Sequence, residues 1–297
     1  MKLATVILAQ ALCVSPSYSF APTTLVSKNV HFENSKSTVL FSTEAPTDVE
    51  TASAVTTPSI INENPRQSGL ALMLDDGTRK SHSMAENTRF VAGFFKGLAD
   101  KNSYKALITS LYFVYEAMEE VLQNSEEENV KALDYPALRR VESLRQDMDY
   151  FYGEEWQIKI QPSAASKAYV ERIQEIAKEK PYLMVAHQYT RYLGDLFGGQ
   201  MMANMAIRSL KLENGDGVAF YTFEDIPSAK DFITEWYTNL NSLDLTQKQK
   251  EEIVDEANLV FALNIDVLQE LSGSPFTAMW TLAVNSLKEK RLWPFLD

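Results

Sequence analysis

Apolar residues recur every three or four positions over nearly the whole chain beyond residue 66, and that period leaves little choice of architecture. In 107–122, Leu107, Leu111, Val114, Tyr115, Met118, Val121 and Leu122 fall on one stripe, the signature of a helix with one buried face. Residues 246–271 repeat it with Ile253, Ala257, Val260, Phe261, Ile265, Leu268 and Leu271. Thr246 with Gln249 forms a candidate capping box at the start of that run. Similar stripes cross 166–178 and 183–210, and only Ala219–Phe223 reads as extended. Breaks fall near Asn102, Asn124–Asn129, Gly153–Pro162, Pro181, Gly215–Gly217 and Gly273. The expectation is a single all-α domain of about eight or nine helices spanning 67–297.

The first 66 residues have a different character. Residues 1–14 carry one charge, Lys2, ahead of an uncharged run too short to span a bilayer and suited to a signal-peptide core. Ser17 and Ser19 place small residues before a cleavage at Phe20, giving a signal peptide over 1–19. From 20 to 66 the chain is rich in Ser, Thr, Pro and Asn, as in a transit peptide or disordered linker. Together they resemble the two-part plastid presequences of algae with secondary plastids, which implies the plastid stroma; the alternative is a secreted protein. The single cysteine, Cys13, lies in this leader. The mature chain is therefore expected to have no disulfide, no Fe–S cluster and no structural metal held by thiolates. The net charge is −12 overall and about −11 for 67–297. That balance argues against nucleic acid and against an anionic membrane as partners.

Chemistry-bearing residues are few. Of three histidines, His31 lies in the leader, leaving His82 and His187. His82 stands near the end of a short amphipathic stretch with Glu86 four residues on, hence on the same helical face. The pair reads either as a surface contact or as a metal-ligating imidazole with a carboxylate behind it. The second cluster is Gly194, Gly198 and Gly199, three of the eleven glycines within six residues of strong helical pattern. Each costs about 1 kcal/mol relative to Ala in a helix interior. Close helix–helix packing through Gly194 and Gly198 at i, i+4, with a bend at Gly198–Gly199, explains them, and so does backbone laid against a flat ligand. Asp195, between them, needs hydrogen bonds if it is buried and none if it is on the surface.

The segments HSMAENTRFVAGFFKG, LYFVYEAMEE and AHQYTRYLGDLFGGQ resemble the proximal, second and distal helices of heme oxygenases, especially the cyanobacterial and plastid kind. LRQDMDYFYGEEW, AFYTFEDI and IVDEANLVFALNIDVLQEL continue the similarity in order, over about residues 70–290. The resemblance implies an all-helical domain that holds heme b between a proximal helix and a kinked distal helix, and that uses O2 to cleave it to biliverdin, ferrous iron and carbon monoxide. It makes His82 the axial ligand and Glu86 its hydrogen-bonding partner. Gly194 and Gly198 would let the distal helix lie over the porphyrin, and Asp195 would hold the waters that deliver protons. Tyr115, Arg191 and Asn264 would support those waters, and Tyr189 would lie near the propionates. Ferredoxin would supply electrons, a bilin reductase could follow, and the alpha meso carbon is the expected site of cleavage.

Several positions depart from the family pattern. A basic residue expected seven positions before the axial His is Asp75, and two more are Ile233 and Tyr237. Arg79, Lys80 and Arg191 are the candidates to compensate at the propionates. Ala203-Asn204 stands where a Lys pair meets the reductase, and Phe197 replaces a small Ser. With the acidic net charge these imply weak steering toward an acidic ferredoxin. They also motivate an alternative: a noncatalytic paralogue with weak or no heme binding that acts as a plastid regulatory or interaction protein.

Overall fold

The computed structural model describes residues 64–96, 100–213 and 215–272; the leader expectations for residues 1–63, and the break at Gly273, lie outside them. The described chain is helical throughout, without a strand. In order the α-helices are α1 (Gly69–Glu86), α2 (Arg89–Phe95), α3 (Lys101–Gln123), α4 (Glu128–Lys131), α5 (Val141–Tyr152), α6 (Ala164–Glu179), α7 (Met184–His187), α8 (Gly194–Leu210), α9 (Ala229–Ser242) and α10 (Gln247–Leu271). Eight of these described helices are seven residues or longer. None of the described helices is long and apolar enough to cross a membrane.

Local chemistry sets the helix starts. The side chains of Thr88, Asp100, Ser163, Ser228 and Thr246 each accept a hydrogen bond from a backbone N–H of the first turn that follows, satisfying donors that lack a partner within the helix. At Thr246 the reciprocal bond from its backbone N–H to Gln249 Oε1 completes the expected capping box. The long α10 is the spine, packing against α1, α3, α6 and α7, while α3 also packs on α5 and α6. The α1–α10 crossing is close because Gly77 has no Cβ: one would stand 2.4 Å from Val254 Cγ1. Asn258 of α10 then ties α1 down, donating to the Gly77 carbonyl at 3.1 Å and accepting from the Ser81 hydroxyl at 2.5 Å.

Two local expectations are corrected. Ala219–Phe223 is not extended: Ala219–Tyr221 forms a 3-10 turn. Its alternation of apolar residues comes instead from burial of Phe220, Tyr221 and Phe223 in the core. Asp147 of α5 organises the turn, accepting from Ala219 N at 2.8 Å and Phe220 N at 2.9 Å. The irregularity in the 183–210 stretch also lies five or more residues earlier than expected. Gly198 and Gly199 lie within regular α8, and the hydrogen-bond pattern changes at Gln188–Leu193, a π-helical stretch.

Asp147 is fully buried, and that burial pushes its carboxyl up to about 6 against the pull of the two backbone donors. A carboxyl raised in the folded state stabilises below its ordinary value, and the contribution is lost as pH rises through about 6. The unfolding free energy of the wild type minus that of Asp147→Asn should therefore fall by up to about 3 kcal/mol between roughly pH 4 and 6.5. Urea unfolding across that range measures the difference, and a pH-independent value would contradict this account.

Candidate active site

A cavity opens between α1 on one side and the π-helical stretch with α8 on the other, and α10 contributes Phe261, Asn264, Val267 and Leu268 to its lining. Of the residues singled out in the sequence, His82, Glu86, Arg79, Tyr189, Arg191, Gly194, Asp195, Gly198 and Asn264 all line it. Tyr115 stands behind the lining, fully buried on α3, with its hydroxyl donating to Asp195 Oδ2.

On the α1 wall, His82 Nδ1 lies 3.3 Å from Glu86 Oε1. The imidazole meets the Phe261 ring edge-on, with centroids 5.6 Å apart. Nδ1 thus faces a carboxylate, and Nε2 is the nitrogen at which His82 can hold a metal. Burial raises the Glu86 carboxyl above its ordinary value. The surface-pair reading of His82 and Glu86 is thereby set aside, since their side chains are only 14% and 10% exposed.

On the opposite wall the π-helical stretch places Tyr189, Thr190, Arg191 and Leu193 along the cavity, and the start of α8 adds Gly194 and Asp195. Arg191 Nη2 donates to Asp195 Oδ2 at 2.9 Å and Oδ1 at 3.2 Å, while its Nη1 donates to Asn264 Oδ1 at 2.7 Å. Asn264 is fixed in turn by donating to the Val260 carbonyl at 2.8 Å. Burial pushes the Asp195 carboxyl up, opposed by the Arg191 charge and the Tyr115 hydroxyl. Burial works against the charge on Arg191 as well, but Asp195 and Tyr115 hold it, and its pKa ends above the usual value. The phenol of Tyr115 is raised well above its ordinary value by burial and by Asp195, so it stays a donor.

The glycines divide by role. A Cβ on Gly194 would meet nothing within 4 Å, so this residue faces open cavity and does not serve helix packing. A Cβ on Gly199 would stand 2.9 Å from Tyr221 Cδ1, which makes that position one of close packing. The close packing expected at Gly194 and Gly198 falls instead at Gly199, against the turn that carries Tyr221. Gly198 is buried and lines the cavity.

The residues flagged as departures are placed as follows. Phe197 and Tyr237 line the cavity. Ile233 is buried and is not among the lining residues. Lys80 is exposed and away from the lining, whereas Arg191 lines the cavity, bonded to Asp195 and Asn264. Asn204 is exposed and bonds the Gln200 carbonyl at 2.8 Å. Asp75 lines the mouth, but Arg66 Nη2 reaches its Oδ1 at 2.5 Å. Sequence reasoning missed Arg66 because it assigned that residue to the leader, and nothing in the local pattern ties positions 66 and 75 together. It also missed that His187 belongs to a separate buried cluster, with Nε2 at 3.2 Å from Glu256 Oε1.

A family model described as Heme oxygenase matches residues 68–270. The chain is 43% identical over 225 residues to heme oxygenase 1 of Nostoc sp., covering 75% of this chain and 94% of that protein. It is 46% identical over 206 residues to the heme oxygenase of Guillardia theta, covering 69% and 87%. Among solved structures, heme oxygenase-1 from Synechocystis sp. in complex with heme superposes with a TM-score of 0.67. That structure is 44% identical and covers 74% of this chain and 100% of its own. The chain belongs to the heme oxygenase family.

The two glycine roles have opposite consequences for stability. Gly194→Ala should raise the unfolding free energy by about 0.5–1 kcal/mol, since helix propensity improves and nothing is displaced. Gly199→Ala should lower it by about 1–2 kcal/mol, because the new methyl must push the Tyr221 ring aside. Chemical denaturation of both variants tests the pair, and equal shifts in one direction would refute the assignment.

Proposed function

We propose that this chain is a heme oxygenase that takes heme between α1 and α8, with His82 as axial ligand, and converts heme, O2 and electrons to biliverdin, ferrous iron and carbon monoxide. The observation that supports it most is the opposition of two walls across one cavity. On one is an imidazole backed by Glu86; on the other is a carboxylate held by Arg191 and Tyr115 beside a glycine that leaves open space. Leu107, Leu111, Phe197, Met202, Val267 and Leu268 line the space between, so the residues present fit a flat, apolar macrocycle. Bound heme supplies a redox-active iron and is also the substrate.

The chain's own contribution is orientation and proton handling. Glu86 Oε1, 3.3 Å from Nδ1, favours the tautomer with the proton on Nδ1 and so leaves Nε2 for the iron. Asp195, held at both oxygens by Arg191 and at Oδ2 by Tyr115, cannot rotate away from the cavity. A carboxyl whose proton affinity is raised by burial can hold a proton at that wall and pass it on. Gly194 keeps the wall low enough for the macrocycle to lie against it.

Ferredoxin as electron donor, a bilin reductase as consumer of the product, cleavage at the alpha meso carbon and residence in the plastid stroma complete the proposal. The Ser/Thr-rich leader and the algal relatives support the location, and the family supports the donor. The noncatalytic alternative is not favoured. The relatives at 41–46% identity are named heme oxygenases, and the Asp75 carboxylate that motivated it is paired with Arg66.

Hemin titration of the full chain, followed by ferredoxin, its reductase and NADPH, tests the reading. A sharp Soret band saturating at one heme per chain and decaying into biliverdin absorbance is the expected result. A spectrum unchanged from free hemin would overturn it. His82→Ala should abolish turnover. Asp195→Asn should retain hemin binding and slow product formation by about 10²-fold or more.

A further inference from the structure

The mouth of the cavity is built with a cation from outside the helical body. Pro65–Gln67 form a 3-10 turn just before α1, and this turn is anchored at several points. Asn64 caps it by accepting from Arg66 N at 3.1 Å. Asn241 of α9 donates to the Pro65 carbonyl at 2.6 Å and accepts from Ala71 N at 3.0 Å. The chain between these points turns through Gly69 at φ +55°, where a Cβ would also stand 2.6 Å from Asn241 Oδ1. A side chain at this position is disfavoured twice, by conformation and by space.

The effect of that anchoring is to deliver Arg66 to the cavity lining with its side chain only 15% exposed. Asp75 of α1 grips Nη2 at 2.5 Å. The other basic groups in the lining serve differently: Arg191 is tied to Asp195 and Asn264, and Arg79 is 71% exposed and pairs with Asp76 at 2.6 Å. A guanidinium carries five N–H donors around a rigid plane, enough to serve two carboxylates on different edges. We propose that Arg66 is the residue that binds a carboxylate of the ligand at the cavity mouth, and that Asp75 is its positioning residue.

This rests on the heme reading of the cavity, whose ligand carries two propionates. It inverts the expected role of Asp75: with Arg66 in place the acid aims a cation, and without Arg66 it would confront the ligand as a like charge countered only by the exposed Arg79, whose Nη2 is 3.7 Å from its Oδ2. The same substitution at Asp75 must therefore act in opposite directions in the two backgrounds.

The test is Soret titration of the full-length chain with hemin and with hemin dimethyl ester, which lacks the charges. Arg66→Met should weaken hemin binding about tenfold and leave the ester within about twofold of wild type. Asp75→Asn should weaken hemin binding several-fold in the wild-type background and strengthen it in the Arg66→Met background. Circular dichroism melting of each variant checks that the fold is retained. Equal losses for hemin and ester, or an Asp75→Asn effect of one sign in both backgrounds, would overturn the assignment and leave the heme reading standing. Failure of the wild-type chain to bind either ligand would overturn both.

Discussion

The close approach of α1 to α10 is the constraint from which the site follows. It depends on a single missing methyl at Gly77, opposite Val254, and on Asn258, which bonds both the Gly77 carbonyl and Ser81. One residue beyond Ser81 is His82, and the Phe261 ring that orients its imidazole comes from the next turn of the same α10. The helix that presents the ligand and the helix that orients it are thereby locked in register. Asn264, a further turn along α10, bonds Arg191 on the opposite wall. One long helix thus references both sides of the cavity, and an error in its crossing with α1 would propagate directly to the distance between them.

Two of the interior's polar clusters serve contrasting ends. Asp195, Arg191, Tyr115 and Asn264 face the cavity. Further from it, Glu256 of α10 takes Arg172 of α6 through Nε at 3.0 Å and Nη2 at 2.5 Å, and His187 of α7 at 3.2 Å. Burial alone would raise the Glu256 carboxyl, but the His187 and Arg172 bonds bring it down to about 2. The two sets differ in purpose: Glu256 is kept ionised and joins three helices, whereas burial raises Asp195 above its ordinary value, as a group exchanging protons needs.

What could be read from the sequence was what depends on neighbours along the chain. The apolar stripes, the capping box at Thr246 and the i,i+4 relation of His82 and Glu86 are all local, and each is present in the structure. Ala219–Phe223 was misread because Phe220, Tyr221 and Phe223 are buried from a turn whose conformation is imposed by Asp147, some seventy residues earlier. The π-helical stretch was missed since Gln188–Leu193 has no helix-breaking residue, and attention fell on the glycines instead. Asp75 looked like a repulsive substitution because its partner lay in a segment assigned to the leader. Tyr115, Arg191, Asn264 and Asp195 come from three α-helices and the π-helical stretch and were gathered through family resemblance, not through any spacing in the chain.

The anchored turn at Pro65–Gln67 also sets a limit on how this chain can be matured. Asn64, Pro65 and Arg66 look, by composition, like the last residues of a disposable extension, yet Asn241 bonds the Pro65 carbonyl and Asn64 caps the turn. A processing protease that cut at the apparent edge of the helical body would remove the cap, the anchor and the guanidinium in one step. A cleavage that leaves this turn intact would have to fall upstream of Asn64, so the same few residues cap the turn and place a guanidinium in the cavity lining.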